Sequence, residues 1–174
     1  MDARLLIASH RTTRAYLPTS LAPGAAERIL DAGRLAGSAQ NNQPWRFVVV
    51  HGSAREAVAA TVYVPAHVRT AALVVALVIT PFGGVSDVDA GRAAQNMMLA
   101  AWDEGIGSCP NGVADHKALA RVLDLEKGQR VPLVITFGVP DPPRDPARRS
   151  PEGWSAGARR LPLEDLVRHV GEDR

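Results

Sequence analysis

Gly37-Ser38-Ala39-Gln40-Asn41-Asn42-Gln43-Pro44-Trp45-Arg46-Phe47 joins a helical pattern to an apolar strand. A helix-to-strand turn needs one Gly, Pro or Asn to supply its unusual backbone angles. It does not need four consecutive carboxamides, each able to donate two hydrogen bonds and accept others. That concentration suits a planar polar ligand edge or a poly-hydroxyl chain held from one side. Read alone, the stretch is equally a solvated polar loop. A second segment, His10-Arg11-Thr12-Thr13-Arg14, adds complementary chemistry. Two guanidiniums within four residues, flanked by hydroxyls, make an anion clamp or a solvated helix end.

Working outward, residues 3–10 read as a short helix burying Leu5, Leu6 and Ile7. Residues 11–22 form a loop. Residues 25–36 repeat apolar positions at helical spacing, with Gly33 on the same face and Gly37 as a stop. Residues 47–50 are a β-branched strand, residues 54–60 a short helix, and residues 73–80 a strand buried on both faces. The strongest helix spans 87–105. Its body, from Ala93 to Trp102, reads as apolar nearly all round, and a partner subunit is the expected cover. A helix over 116–123 and a strand over 133–137 follow. Beyond Val139, prolines and arginines set in, and residues from about 140 to 174 are expected to be an extended tail lying on the body or on a partner. The whole, 1–174, reads as a single domain.

The chain has 174 residues, enough to bury about 70% of the surface its unfolded form exposes. Its hydrophobic content of 46% is that of an ordinary globular protein. No apolar run approaches the ~20 residues of a membrane helix, and the start lacks an apolar secretory core. Membrane insertion is therefore not expected. One cysteine, Cys109, excludes an internal disulfide and suits a reducing cytoplasm. The net charge is +2, and of the 20 basic residues only Lys117 and Lys127 are lysine. The arginines are scattered apart from a group in the tail, without a zinc pattern or aromatic ladder, so nucleic acid is not expected as a partner.

Gly105-Ile106-Gly107-Ser108-Cys109-Pro110-Asn111-Gly112 is not a dinucleotide fingerprint, because its glycines close a helix where the fingerprint opens one. It reads as a helix end and turn that leave backbone amides at Asn111 and Gly112 for a ligand. Pairing Cys109 with His116 as nucleophile and base has no supporting pattern. His10, His51, His67, His116 and His169 lack metal-ligand spacing. A chain with no acid, base or nucleophile of its own borrows its chemistry from a cofactor.

In this order the segments resemble the nitroreductase family of flavin enzymes. The resemblance rests on His10 to Arg14, Gly37 to Phe47, Asp89 to Ala101, Gly105 to Cys109, and Arg159-Arg160-Leu161-Pro162-Leu163. It implies an α+β fold with a central mixed β-sheet flanked by helices, assembled as an intertwined homodimer with FMN at the subunit interface. By position, His10, Arg11 and Thr12 would hold the FMN phosphate with Arg159 and Arg160, and Arg14 would face the N1/C2 carbonyl edge. Ser38, Asn41 and Gln43 would reach the flavin from the other subunit. Pro110, Asn111 and Gly112 would line the ring, a backbone N–H directed at N5.

The implied activity is that of a cytoplasmic FMN-dependent oxidoreductase. Hydride from NAD(P)H as co-substrate passes through flavin N5 to a small-molecule electron acceptor (a nitroaromatic, quinone or enone) in a ping-pong order. Thr12 stands where the family commonly has serine, and the segment between Val50 and Leu73 is short. The alternative is a flavin- or deazaflavin-binding protein of the same fold with another reaction, as an oxidase, dehalogenase or flavin-degrading enzyme.

Overall fold

The computed structural model describes residues 1–81 and 84–171. In chain order the elements are α1 (Ala3–Ser9), α2 (Ala25–Arg34), a single 3-10 turn (Ala39–Asn41), β1 (Trp45–Val49), α3 (Ala54–Ala59), α4 (Pro65–Thr70) and β2 (Leu73–Ile79). Then come α5 (Ser86–Asp103), β3 (Gly107–Asn111), α6 (His116–Val122), β4 (Arg130–Gly138), a 3-10 turn (Pro146–Arg148), α7 (Pro151–Gly157) and α8 (Leu163–Leu166). These elements form two compact units, Arg11–Asp145 and a smaller one combining Met1–His10 with the chain from Pro146 onward.

The larger unit is built on one sheet with strand order β1-β2-β4-β3. β2 carries nothing but apolar residues, all buried. Its alternate side chains fall on opposite faces, as the two-residue period of a strand dictates. Leu73, Val75, Leu77 and Ile79 meet Ile29 of α2 and Ala93, Met97 and Ala101 of α5. Val74, Ala76 and Val78 meet Val58 of α3, Val68 of α4 and Leu119 of α6. Helices therefore cover both faces, and β1 and β3 are left as the two edges. Fully burying one such aliphatic side chain contributes about 1.5–3 kcal/mol, so this sandwich is the main source of stability.

The strands differ from the expected mixed sheet. β1 with β2, β2 with β4, and β3 with β4 all pair antiparallel. Among the described residues the parallel pairing is an isolated bridge between Thr12 and Ser108. An unbroken apolar run encodes burial on both faces, and helices on both faces provide that for strands of either direction. β3 was read as a turn because Gly107-Ser108-Cys109-Pro110-Asn111 holds no strong strand former. A proline is tolerated there because β3 is an edge.

Helix α5 also departs from its reading. Ala90, Ala93, Ala94, Met97, Met98, Ala101 and Trp102 are buried, yet Gly91, Arg92, Gln95 and Asn96 are exposed on the outer side. Its apolar content is concentrated on one face, with a polar face outward, so the helix itself does not require cover on every side. In the smaller unit, Asp2 caps α1 by accepting hydrogen bonds from the Arg4 and Leu5 amides, each at 3.0 Å. Leu5 and Leu6 are half-buried, but Ile7 is 65% exposed rather than in a core. The tail is more ordered than an extended strap. Ser150 caps α7, and Trp154 is buried, its Nε1 donating to the Pro146 carbonyl at 2.7 Å.

The segment after Arg11 runs beside β3, and the Thr13 amide donates to the Ser108 carbonyl at 2.8 Å. Thr13 is buried with its side chain where Gly107 has none: a Cβ on Gly107 would lie 2.6 Å from the Thr13 Cβ and 2.5 Å from its Oγ1. A β-branched side chain pinned by its own backbone bond cannot swing aside. Gly107→Ala is expected to destabilise the protein by about 1–3 kcal/mol in urea unfolding, the cost of overpacking. An unchanged midpoint would contradict this packing.

Candidate functional site

The carboxamide stretch is held in an unusual backbone form. Gln40, Asn41 and Gln43 adopt φ of 51°, 55° and 47°, the left-handed region that non-glycine residues avoid. Such a conformation costs on the order of 1–3 kcal/mol per residue and persists only where surroundings over-determine it. Here the surroundings are three contacts. Ser38 Oγ accepts the Gln43 amide at 2.9 Å, Asp89 Oδ2 accepts the Ala39 amide at 3.0 Å, and the Pro44 carbonyl accepts the Thr80 amide at 2.9 Å. The Asn42 side chain closes the turn on the Ala39 carbonyl, and that of Gln43 reaches the Asn41 carbonyl at 3.3 Å. Among the described residues the Asn41 carboxamide has no hydrogen-bond partner, and Gln40 to Gln43 are all exposed.

Asp89 is the residue the sequence reading undervalued. At the start of α5 an acid suits the positive end of the helix dipole. Instead it is 4% exposed and reaches 50 positions back to anchor the loop. Its i,i+3 neighbour Arg92 stands 3.7 Å away. The only sequence signal was an acidic residue on the side of α5 that also carries Ala93 and Met97. Ser38 is likewise used internally, its hydroxyl holding the loop through the Gln43 amide.

The other candidate segment lies along β3. Arg14 is exposed and close enough to Cys109 for its guanidinium to ease ionisation of the thiol. Burial dominates, however, and pushes the Cys109 thiol above its ordinary pKa. Burial of this kind works against the thiolate a nucleophile needs. Its histidine neighbour is His67, with Sγ 3.7 Å from Nδ1, and not His116.

Asn111 points inward. Its Nδ2 donates to the Cys109 carbonyl at 2.9 Å, the Val134 carbonyl at 3.1 Å and Thr136 Oγ1 at 3.2 Å, which leaves Oδ1 as acceptor. His67 Nδ1, 2.8 Å from that oxygen, must therefore carry the proton. Tyr16 extends the network through its hydroxyl to the Thr136 carbonyl at 3.2 Å, and burial raises its pKa further above the ordinary tyrosine value. The Asn111 side chain thus fixes β3, and only its backbone is offered to a ligand. Pro110 and Gly112 on either side are exposed.

Arg11, Thr12, Arg14, Ser38, Asn41, Gln43, Pro110, Asn111 and Gly112 belong to the larger unit, and His10, Arg159 and Arg160 to the smaller. Arg159 takes a φ of 50°. Within the larger unit Thr12 is bridged to Ser108 and Arg14 is beside Cys109, so these two join β3. Ser38, Asn41 and Gln43 precede β1, the opposite edge. Three strand spacings, about 14 Å, separate the edges. One chain does not bring the two groups together. Among the described residues no group of His, Cys, Asp and Glu could hold a metal ion, and no helix is long and apolar enough to cross a membrane.

An antiparallel sheet between two helical layers, with a polar strained loop at one edge and an arginine-bearing segment at the other, defines an α+β protein. The chain belongs to the nitroreductase family, whose profile matches residues 7–78 and 82–139. A provisionally named NADH dehydrogenase/NAD(P)H nitroreductase of Archaeoglobus fulgidus is 33% identical over 154 residues, covering 80% of this chain and 86% of that protein. The 4-nitrobenzoate reductase of Pseudomonas putida is 39% identical over 59 residues, which span only 26% of its own length and 34% of this chain. Among solved structures, a nitroreductase family protein of Clostridium difficile 630 superposes with a TM-score of 0.81 at 21% identity, covering 97% of this chain and 98% of that one. The NADPH:FMN oxidoreductase of Vibrio harveyi, complexed with NAD+, gives 0.79 at 24% identity over 97% of this chain and 76% of its own.

Removing the Asp89 carboxylate strands the Ala39 amide and frees the loop. Asp89→Ala is expected to cost about 1–3 kcal/mol and to make residues 38–43 the first site of limited proteolysis. Equal stability together with an unchanged cleavage pattern would refute the anchor.

Proposed function

We propose that this protein is an FMN-dependent NAD(P)H oxidoreductase that works as a homodimer and reduces a nitroaromatic, quinone or enone. The observation that carries the reading is the separation of the two residue groups onto opposite sheet edges. A planar cofactor gripped by Arg14 and the 110–112 backbone of one chain would meet Ser38, Asn41 and Gln43 from a second. Family membership supports the flavin: an FMN-dependent nitroreductase of Clostridium difficile R20291 shares the fold, with a TM-score of 0.68.

The residues present fit such a group. A strained, exposed run of carboxamides matches the donor and acceptor pattern of a flavin edge, and the unpartnered Asn41 amide has hydrogen-bonding capacity to spend. Arg11 and Thr12 would hold the phosphate, for which guanidinium forks and hydroxyls are the fitting donors. When bound, FMN supplies hydride transfer between NAD(P)H and the acceptor. The chain's part is to bind and orient. The Arg14 guanidinium, a fixed cation, favours negative charge on the ring edge it faces, which eases reduction. The Asn111 network keeps the 110–112 backbone rigid, so its amides are aimed before a ligand arrives. With one exposed site for both substrates, they alternate in ping-pong order.

The short 50–73 segment, which folds into α3 and α4 and leaves Tyr63 74% exposed, favours a second reading in which the same flavin site runs an oxidation or another flavin reaction. The two readings differ in one readout. The purified protein is expected to be yellow or to take up added FMN, and to bleach when NADH or NADPH is added without oxygen. Flavin binding without bleaching selects the second reading, and failure to bind FMN defeats both. Arg14→Ala is expected to weaken FMN at least tenfold, since a charge-assisted hydrogen bond contributes about 1.5–3 kcal/mol. Unchanged affinity and unchanged reduction rate would remove Arg14 from the site.

A further inference from the structure

A concavity lies at the other end of β1 from the carboxamide loop. That loop leads into β1 at Trp45, whereas this cavity is bounded by His51, just past the end of β1, and by Leu73 at the start of β2. The length of β1 separates the two, roughly 14 Å at the rise of an extended strand. The cavity has a volume of about 410 Å³, within the range of small-molecule pockets. Leu17, Pro18, Leu21, Ala26 and Leu73 give it aliphatic walls. Thr19, Ser20 and Thr70 add hydroxyls, and Arg55 and His51 are the cationic or potentially cationic groups on its lining. Among the described residues no carboxylate lines it.

Arg55 makes this a built feature rather than a chance hollow. It sits in the first turn of α3, half-buried, with Nη1 donating to the Ala71 carbonyl. That bond fixes the guanidinium at the cavity and leaves the rest of its donor fork unused. The adjacent acid, Glu56, does not neutralise it. Arg69 engages that carboxylate through Nε at 3.1 and 2.8 Å and through Nη2. Among the described residues Arg55 has no ion-pair partner, so a half-desolvated cation faces an aliphatic hollow.

We propose that this cavity is a binding site for a small monocarboxylate with an apolar body, distinct from the flavin site. The carboxylate would lie on the Arg55 fork, whose planar geometry matches two carboxylate oxygens, with His51 and the Thr19 and Ser20 hydroxyls around it. The body would lie against Leu17, Leu21 and Leu73. A single fixed guanidinium with aliphatic walls suits one negative charge on an apolar tail better than a phosphate, which draws several cations.

The test is a titration of the full chain with hexanoate, followed by calorimetry and by backbone amide shifts. Saturable one-to-one binding is expected, with shifts concentrated at residues 17–21, 51–55 and 70–73. Hexanol, with the same body and no charge, should bind at least tenfold more weakly, as should inorganic phosphate. Arg55→Gln should weaken hexanoate at least tenfold. Ser20→Trp, which puts bulk into the lining at an exposed position, should do the same, so the proposal stays testable if the Arg55 variant fails to fold. Absence of saturation, equal affinity for hexanol or phosphate, or shifts centred on 38–43 and 110–112 would each overturn it.

Discussion

The constraint on which this structure depends is the burial of β2 on both faces. A strand with no polar residue has nowhere to put its side chains except against two layers of helix. α2 and α5 take one face, and α3, α4 and α6 the other. Once the middle of the sheet is closed in this way, backbone that can meet a ligand remains only at the edges β1 and β3. The chemistry-bearing segments accordingly gather there, or at the ends of the strands, and nowhere in the interior.

Each edge is made rigid by groups spent inside the protein. At β1, Asp89 and Ser38 hold three residues in left-handed backbone, and the carboxamides of that loop are turned outward. At β3, Asn111 uses both ends of its side chain on Thr136, backbone carbonyls and His67. Thr13 fills the space above Gly107. These contacts carry much of the cost of pre-organisation before any ligand arrives, which is what a binding site needs if affinity is not to be lost to ordering. They also turn the Asn111 side chain inward, and burial pushes the Cys109 thiol above its ordinary pKa.

Much of this was legible in the residues. Periodicity located α2, α5, β1, β2 and β4, because long apolar patterns report burial directly. Three of the five segments that carried the family resemblance, those beginning at His10, Gly37 and Gly105, lead into or run beside the sheet edges. Three things were not legible. Strand direction was misjudged, since Leu73 to Ile79 would look the same in a parallel or an antiparallel sheet. β3 was missed because an edge strand built from Gly107, Ser108 and Pro110 lacks strand propensity and is held by its partner. Asp89 was undervalued because a contact to Ala39, 50 residues away, leaves no local mark. The outer face of α5 was misread for a related reason: Gln95 and Asn96 sit among alanines and methionines in sequence but on the far side of the helix in space.

The central claim is that one site needs the β3 edge of one chain and the β1 edge of another. Mixing inactive variants tests it most directly. Chains carrying Arg14→Ala are combined with chains carrying Asn41→Ala and Gln43→Ala, then unfolded and refolded together. If the site is shared, mixed dimers contain one site with both defects and one with neither, and the mixture regains tight FMN binding that neither variant shows alone. If each chain binds its own flavin, the mixture binds no better than the average of its parts, and the account is wrong.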